Sequence, residues 1–212
     1  MPKHHAIVAL LLASSIGAQV AVAQAKPGQP GPNRASFGIV GGLNFATFTG
    51  TDIADAKTRT GFHAGAAVIL PLGTSLFFQP QALYSMKGAT ASNGAITMEL
   101  KVNYLEVPLF LGLRVPLQGS EIRPYVMAGP YLGFKMGCKV KASWGGASAE
   151  VSCDESSVIL DMGSSDLGLA FGAGVEVPMG RGMLSLGARY SKGLAQMMNS
   201  VISLGAGYFF GR

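Results

Sequence analysis

From Ser36 onward, apolar side chains return at every second position, and no apolar run is long enough to cross a membrane as a helix. A spanning helix needs about 20 consecutive apolar residues; here Gly, Pro or a polar residue interrupts every run before that. A period of two belongs to strands whose two faces meet different surroundings. Phe62, Ala64, Ala66, Val68 and Leu70 alternate with Gly61, His63, Gly65 and Ala67. Leu105, Val107, Leu109, Leu111 and Leu113 alternate with Tyr104, Glu106, Phe110 and Arg114. Like segments start near residues 36, 76, 123, 166, 184 and 202. The count is about eight strands of roughly ten residues, the lower end of the transmembrane barrel range.

Composition decides where such strands live. Charged residues make up 13% of the chain, which also holds 30 glycines, against roughly 25% charge in ordinary soluble domains. A hydrophobic chain without spanning helices has one membrane solution, a closed barrel that satisfies every backbone group internally. The soluble alternative is a lipocalin-like barrel with its apolar face inward. It would turn the other face to water, and that face is unusually rich in glycine and poor in charge.

The first residues address the compartment. A basic start (Lys3, His4, His5), an apolar run over residues 6–18 and small residues at Ala21, Ala23 and Ala25 give the layout of a secretory signal. Cleavage is expected after Ala25 or Ala23. Residues 26–35 (KPGQPGPNRA) form a Pro/Gly-rich tether, and residues 36–212 form the barrel. The remaining positive charge is mild and scattered, so nucleic acid is not an expected partner. Export and a barrel together imply the outer membrane.

Connections alternate in length. Leu70-Pro71-Leu72, Val115-Pro116-Leu117 and Val177-Pro178-Met179 each open a short turn after an even-numbered strand. Longer stretches at about 46–57, 88–97, 136–165 and 191–199 follow the odd-numbered ones. Short periplasmic turns and long external loops suit an up-and-down barrel whose termini are both periplasmic. With that orientation, Phe45, Phe62, Tyr84, Phe134 and Tyr190 fall near the outer rim of the lipid face. Phe37, Phe78, Tyr208 and Phe210 fall near the inner rim, and Phe171 lies between. Pro80, Pro108, Pro124 and Pro130 lie inside predicted strands, where each removes a ladder donor; bulges or strand ends near the rims are the expected explanation.

Gly41-Gly42-Leu43-Asn44-Phe45, Tyr104-Leu105-Glu106-Val107-Pro108-Leu109 and the stretch from Arg123-Pro124-Tyr125 through Gly129-Pro130-Tyr131 carry a resemblance. The chain resembles, from about residue 36 to its C-terminus, the outer-membrane β-barrel domain family ("porin family", PorT-like), related in shape to OmpA- and OmpX-type barrels. The resemblance implies an eight-stranded antiparallel transmembrane barrel that contacts outer-membrane lipid and engages the barrel-assembly machinery through its C-terminal strand. One departure is that Gly211 and Arg212 follow the aromatic Phe210, where many such barrels end on the aromatic residue.

An eight-stranded barrel has an interior just wide enough for side chains to fill. Lys87, Glu106, Arg114, Arg123, Lys135, Asp166, Glu176 and Arg189 all fall on the inward face and are expected to pair there. Arg114 and Arg123 flank one short turn, so they should lie nearly opposite and need a carboxylate, Glu176 or Glu106. Cys138 and Cys153 are the only cysteines and sit in an oxidising compartment. Their midpoint falls at Gly145-Gly146, so residues 139–144 and 147–152 read as two arms of a hairpin. In that register Lys141 faces Glu150, Val140 faces Val151, and a Cys138–Cys153 disulfide staples the base. A strict two-residue turn puts the cysteines at a hydrogen-bonded pair, so a one-residue shift or a bulge is the alternative. Trp144 at the tip is a candidate contact residue or packs on its own hairpin.

No metal or cofactor is expected from two cysteines and one histidine in the mature chain. His63 is the one imidazole that could serve a lipid-modifying hydrolase, and no G-x-S-x-G accompanies it. The favoured reading is a non-enzymatic barrel with a filled lumen and a structural or surface-interaction role. Its loops, mainly 136–165, would contact a surface partner or the lipopolysaccharide layer. A small-solute pore and an envelope-lipid-modifying enzyme are the alternatives.

Overall fold

A computed structural model describes residues 34–48, 57–92, 96–153, 165–194 and 199–211. The expected signal, residues 1–25, and most of the tether lie outside the described residues. The described chain is β-strand joined by turns and short irregular segments: β1 (Ser36–Phe48), β2 (Lys57–Pro71), β3 (Leu76–Ser92), β4 (Ile96–Arg114), β5 (Arg123–Trp144), β6 (Ala147–Ser152), β7 (Ser165–Met179), β8 (Gly182–Gly193) and β9 (Asn199–Phe210). All neighbours pair antiparallel, and β1 pairs with β9 while β4 pairs with β5. Eight strands thus close a barrel, and β6 stands outside the wall as a partner of β5 alone. Closure removes the free edges that an open sheet would expose to lipid.

The faces divide as the alternation predicts. Phe37, Ile39, Phe62, Leu105, Leu111, Phe134, Leu167, Phe171, Ile202 and Leu204 are exposed, and their strand neighbours on the other face line the lumen. Apolar side chains left bare all round the wall suit lipid, not water. The aromatics gather at the rims: Phe37 lies 5.4 Å from Phe210, which lies 5.0 Å from Tyr208, and Phe62 lies 6.1 Å from Tyr84. The glycines of the inner face leave room for rings. A Cβ at Gly112, Gly168 or Gly174 would collide with the ring of Phe77, Tyr131 or Tyr125 respectively.

Three expectations need correction. The wall strands run from 12 to 22 residues, not about ten. The stretch 88–97 is largely strand: β3 and β4 continue past the outer rim, beside the expected hairpin arms of β5 and β6. The prolines do not mark rims or ends, Pro124 excepted. Bridging lapses for two residues beside Pro80 between β2 and β3, beside Pro108 between β3 and β4, and beside Pro130 between β4 and β5. Each missing N–H is accommodated by a gap in the ladder within the wall.

Candidate functional site

Two regions carry the polar chemistry: the lumen, and the sheet that projects beyond it. Along β3, the inward positions read Phe77, Gln79, Gln81, Leu83, Ser85 and Lys87, all buried. At the end that carries the short turns, Arg114 grips Glu176 with two hydrogen bonds, Nε to Oε2 at 2.6 Å and Nη2 to Oε1 at 2.9 Å. Its guanidinium also covers the Phe77 ring at 4.5 Å. Behind this clasp an apolar tier of Ala67, Ile69, Phe77, Tyr125 and Phe209 fills the bore.

The middle of the lumen is polar. Asn44 donates to Ser85 Oγ at 3.1 Å and to the Phe62 and Met86 carbonyls, while its Oδ1 accepts from Ser203 at 2.9 Å and from His63 Nδ1 at 2.8 Å. His63 is thereby a structural partner of Asn44, and the Ser203 hydroxyl donates to the same oxygen. Towards the outer end, Lys87 pairs with Glu106 and lies 3.5 Å from Asp166. The rings of Tyr131 and Tyr104 flank the ammonium at 4.7 and 5.3 Å, and Tyr131 donates to Asp166 at 3.1 Å. Around a side chain only 1% exposed, two carboxylates and two aromatic faces take the place of water.

Of the expected lumen charges, Lys87, Glu106 and Asp166 form one cluster and Arg114 with Glu176 another. Lys135 faces Tyr104 across the ladder and is half-buried. Arg189 stands in the polar middle, where Nη1 reaches Gln81 Oε1 at 3.5 Å. Arg123 departs from expectation. The ladder sets Arg114 opposite Tyr125, not Arg123, so the two arginines do not face each other. Arg123 is exposed beside Glu176 at the start of β5, and Arg114 alone takes the carboxylate. Among the described residues no cluster of three metal-ligating side chains occurs.

The projecting sheet follows the expected hairpin. Lys141 pairs Glu150, Val140 pairs Val151 and Trp144 pairs Ala147. Gly145 and Gly146 take φ of 52° and 85°, the left-handed pair that a two-residue hairpin turn demands. Cys153 N donates to Cys138 O at 3.1 Å, and the two cysteines are disulfide-bonded with Cα atoms 5.3 Å apart. The disulfide thus stands at the hydrogen-bonded pair without a register shift.

One face of this sheet is charged. Glu150 accepts from Lys139 at 2.9 Å and Lys101 at 3.2 Å, and Glu99 accepts from Arg59 at 2.8 Å. The Arg59 hydrogen bond, aided by Lys101, holds the Glu99 carboxyl below its usual range; Lys139 and Lys101 do the same for Glu150. The other face is apolar. Val102 and Cys138 pack with Tyr104, Leu100 and Cys153, and beyond them Ile96 (43% exposed), Met98 (50%), Trp144 (46%) and Val151 (49%) are bare. Trp144 therefore shares a face with Val140 and Val151 and stands opposite Ile96, on the far side from Lys141 and Glu150.

Sequence reasoning passed over Asn44, Tyr104 and Tyr131 as site residues, although each occupies an inward position of the alternation. It also passed over Arg59 and Glu99, which fall just past the stretches 46–57 and 88–97 and were assigned to no strand.

Comparison with known proteins agrees with this architecture. The sequence profile described as the outer membrane protein beta-barrel domain matches residues 22–199. Neisserial surface protein A is similar in structure at 16% identity and a TM-score of 0.52, covering 84% of this chain and 98% of its own. The attachment invasion locus protein Ail of Yersinia pestis follows at 18% identity and 0.46, covering 84% and 99%. OprG of Pseudomonas aeruginosa follows at 16% and 0.44, covering 85% and 98%. No curated protein matches the sequence. With its closed antiparallel wall, bare apolar belt and aromatic rims, the chain belongs to the outer membrane protein beta-barrel domain family and resides in the outer membrane.

Proposed function

We propose that this is a non-enzymatic barrel with a closed lumen that acts at the cell surface through its projecting sheet. The observation that carries the reading is the change of face chemistry at the rim. The outward side of β4 is apolar through Leu105 and then turns polar at Asn103, Lys101, Glu99 and Thr97. That side continues the lipid face, so Lys101, Lys139 and Lys141 stand over the headgroups of the outer leaflet. Three lysines and Arg59 against Glu99 and Glu150 leave a positive balance, which suits the phosphates of the lipopolysaccharide layer. The bare apolar side, with Trp144 and Ile96 at its tip, suits a protein partner.

Two measurements test the two halves. Planar-bilayer recordings of the full chain are expected to show no steady open channel; steady conductance would replace the closed lumen with a small-solute pore. Exchanging Lys101, Lys139 and Lys141 for Gln is expected to weaken association of the folded barrel with lipopolysaccharide-containing vesicles by several-fold at low salt. Equal binding by the variant would remove the headgroup contact.

A further inference from the structure

Between the apolar tier and the Lys87 cluster lies a cavity of about 60 Å³, room for roughly four to six water-sized groups at 10–15 Å³ each. Polar groups from several strands converge on it: Gln79, Gln81, Ser185, Ser203, His63 and the guanidinium of Arg189. Arg189 is the unsatisfied member. Its Nε is buried with no hydrogen-bond partner among the described residues, and its recorded side-chain contact is the 3.5 Å approach to Gln81. No carboxylate among the described residues lies within ion-pair distance of it. Other well-buried cations differ: Lys87 has two carboxylates, Arg114 a bidentate one and Arg59 has Glu99. A guanidinium offers five donors in a fork matched to two oxygens, and the Nε corner of this fork is unpartnered.

We propose that the Arg189 cavity is a binding site for a small monocarboxylate of the size of formate or acetate. Charge sets the valence. Lys87 answers two carboxylates, Glu106 and Asp166, so that cluster carries one surplus negative charge. The surplus offsets the field of Arg189 from a distance without touching its N–H groups. A monoanion is therefore accepted through hydrogen bonds, whereas a dianion meets repulsion from Glu106. Shape agrees: Ser185, Ser203 and the Gln amides supply further donors around a space of only a few heavy atoms. His63 gives its Nδ1 proton to Asn44, which leaves Nε2 as an acceptor and puts the carboxylate seat at the Arg189 end.

The test reads Arg189 directly. In proton–nitrogen spectra of the full chain folded in detergent, the Arg189 Nε–H resonance is identified by its loss in Arg189→Lys. Sodium formate is expected to shift it saturably at constant ionic strength, while chloride and sulfate leave it in place. Formate is further expected to raise the thermal midpoint of the wild-type barrel and not that of Arg189→Met. The spectrum is taken on the unaltered chain, so failure of a variant to fold does not spare the proposal; the resonance is then assigned by selective arginine labelling. No saturable shift with formate or acetate would overturn the site, and an equal or larger response to sulfate would overturn the monocarboxylate assignment.

Discussion

The same three strands, β3, β4 and β5, build both the wall and the projecting sheet, yet the two regions are turned inside out. In the wall, the inner face holds Lys87, Glu106 and Asp166 while Leu105, Leu111 and Phe134 face outward. Beyond the rim, the inner side holds Leu100, Val102, Cys138 and Val140, and the outer side holds Glu99, Lys101, Lys139 and Lys141. β4 makes the exchange without breaking its alternation. β5 makes it with a bulge at Met136, which slips the register between Asn103 and Tyr104 and carries the parity across. The solvent outside the strand changes from lipid to water at that height, and the side chains change with it. Buried charge in the wall is costly unless it is paired, as Lys87 and Arg114 are, because lipid offers no water in return. The charges of the projection sit in water and are worth little individually.

The largest consequence is in the wall. Lys87→Met leaves Glu106 and Asp166 buried with no cation between them, and breaking a buried pair in this way costs about 3–5 kcal/mol. The expected result is a marked fall in the denaturant midpoint of the refolded barrel, followed by the loss of its heat-modifiable gel mobility. Adding Glu106→Gln to Lys87→Met should recover much of that loss. An unchanged midpoint for the single variant would erase the energetic difference between the two regions.

The disulfide probes the projection alone. It closes a separation of 15 residues, and a loop of that size gives about 3 kcal/mol from chain entropy. Because β6 pairs only with β5, the loss in Cys138→Ser with Cys153→Ser falls on the hairpin. Faster amide exchange and protease nicking are expected over 139–152, with heat-modifiable mobility of the wall retained. Collapse of the wall in that variant would show the two regions to be one cooperative unit.

How much of this was legible in the sequence follows from locality. Face assignment along each strand needs only the period of two, and the inward positions of Glu106, Phe110 and Tyr131 were readable from it. The hairpin register follows from Gly145-Gly146 and the equal arms on either side. Pairing across the lumen is not local, since it depends on strand tilt and on turn lengths. Glu176 rather than Glu106 reaches Arg114, and the turn over residues 115–122 displaces Arg123 from the position opposite it. The extension of β3 and β4 beyond the rim was missed for another reason. Ile96, Met98, Leu100 and Val102 alternate with Thr97, Glu99, Lys101 and Asn103 as regularly as any wall segment, but a charged outer face does not match a lipid-facing template. Met136 carries no local sign of a bulge.

The smallest effect lies in the pH response of the charged face. Glu99 is held below its ordinary value of 4.5, first by the hydrogen bond from Arg59 and then by Lys101. A carboxylate whose folded value is depressed stabilises the fold above its unfolded value, and that contribution is lost as pH falls through the folded one. Acidification below about 4.5 should therefore loosen the Arg59–Glu99 link, which ties β2 to β4 across β3. Amide exchange at the outer ends of β2 and β3 is expected to rise in that window, before any change in the wall, and Glu99→Gln should show the faster exchange already at neutral pH. The effect is small because the Glu99 side chain is 30% exposed and its charge is screened by water and salt. Added salt at neutral pH should reproduce part of it. If the wall strands around Lys87 loosened in the same pH window as the ends of β2 and β3, the pairing at the rim would not be separable from the pairing inside.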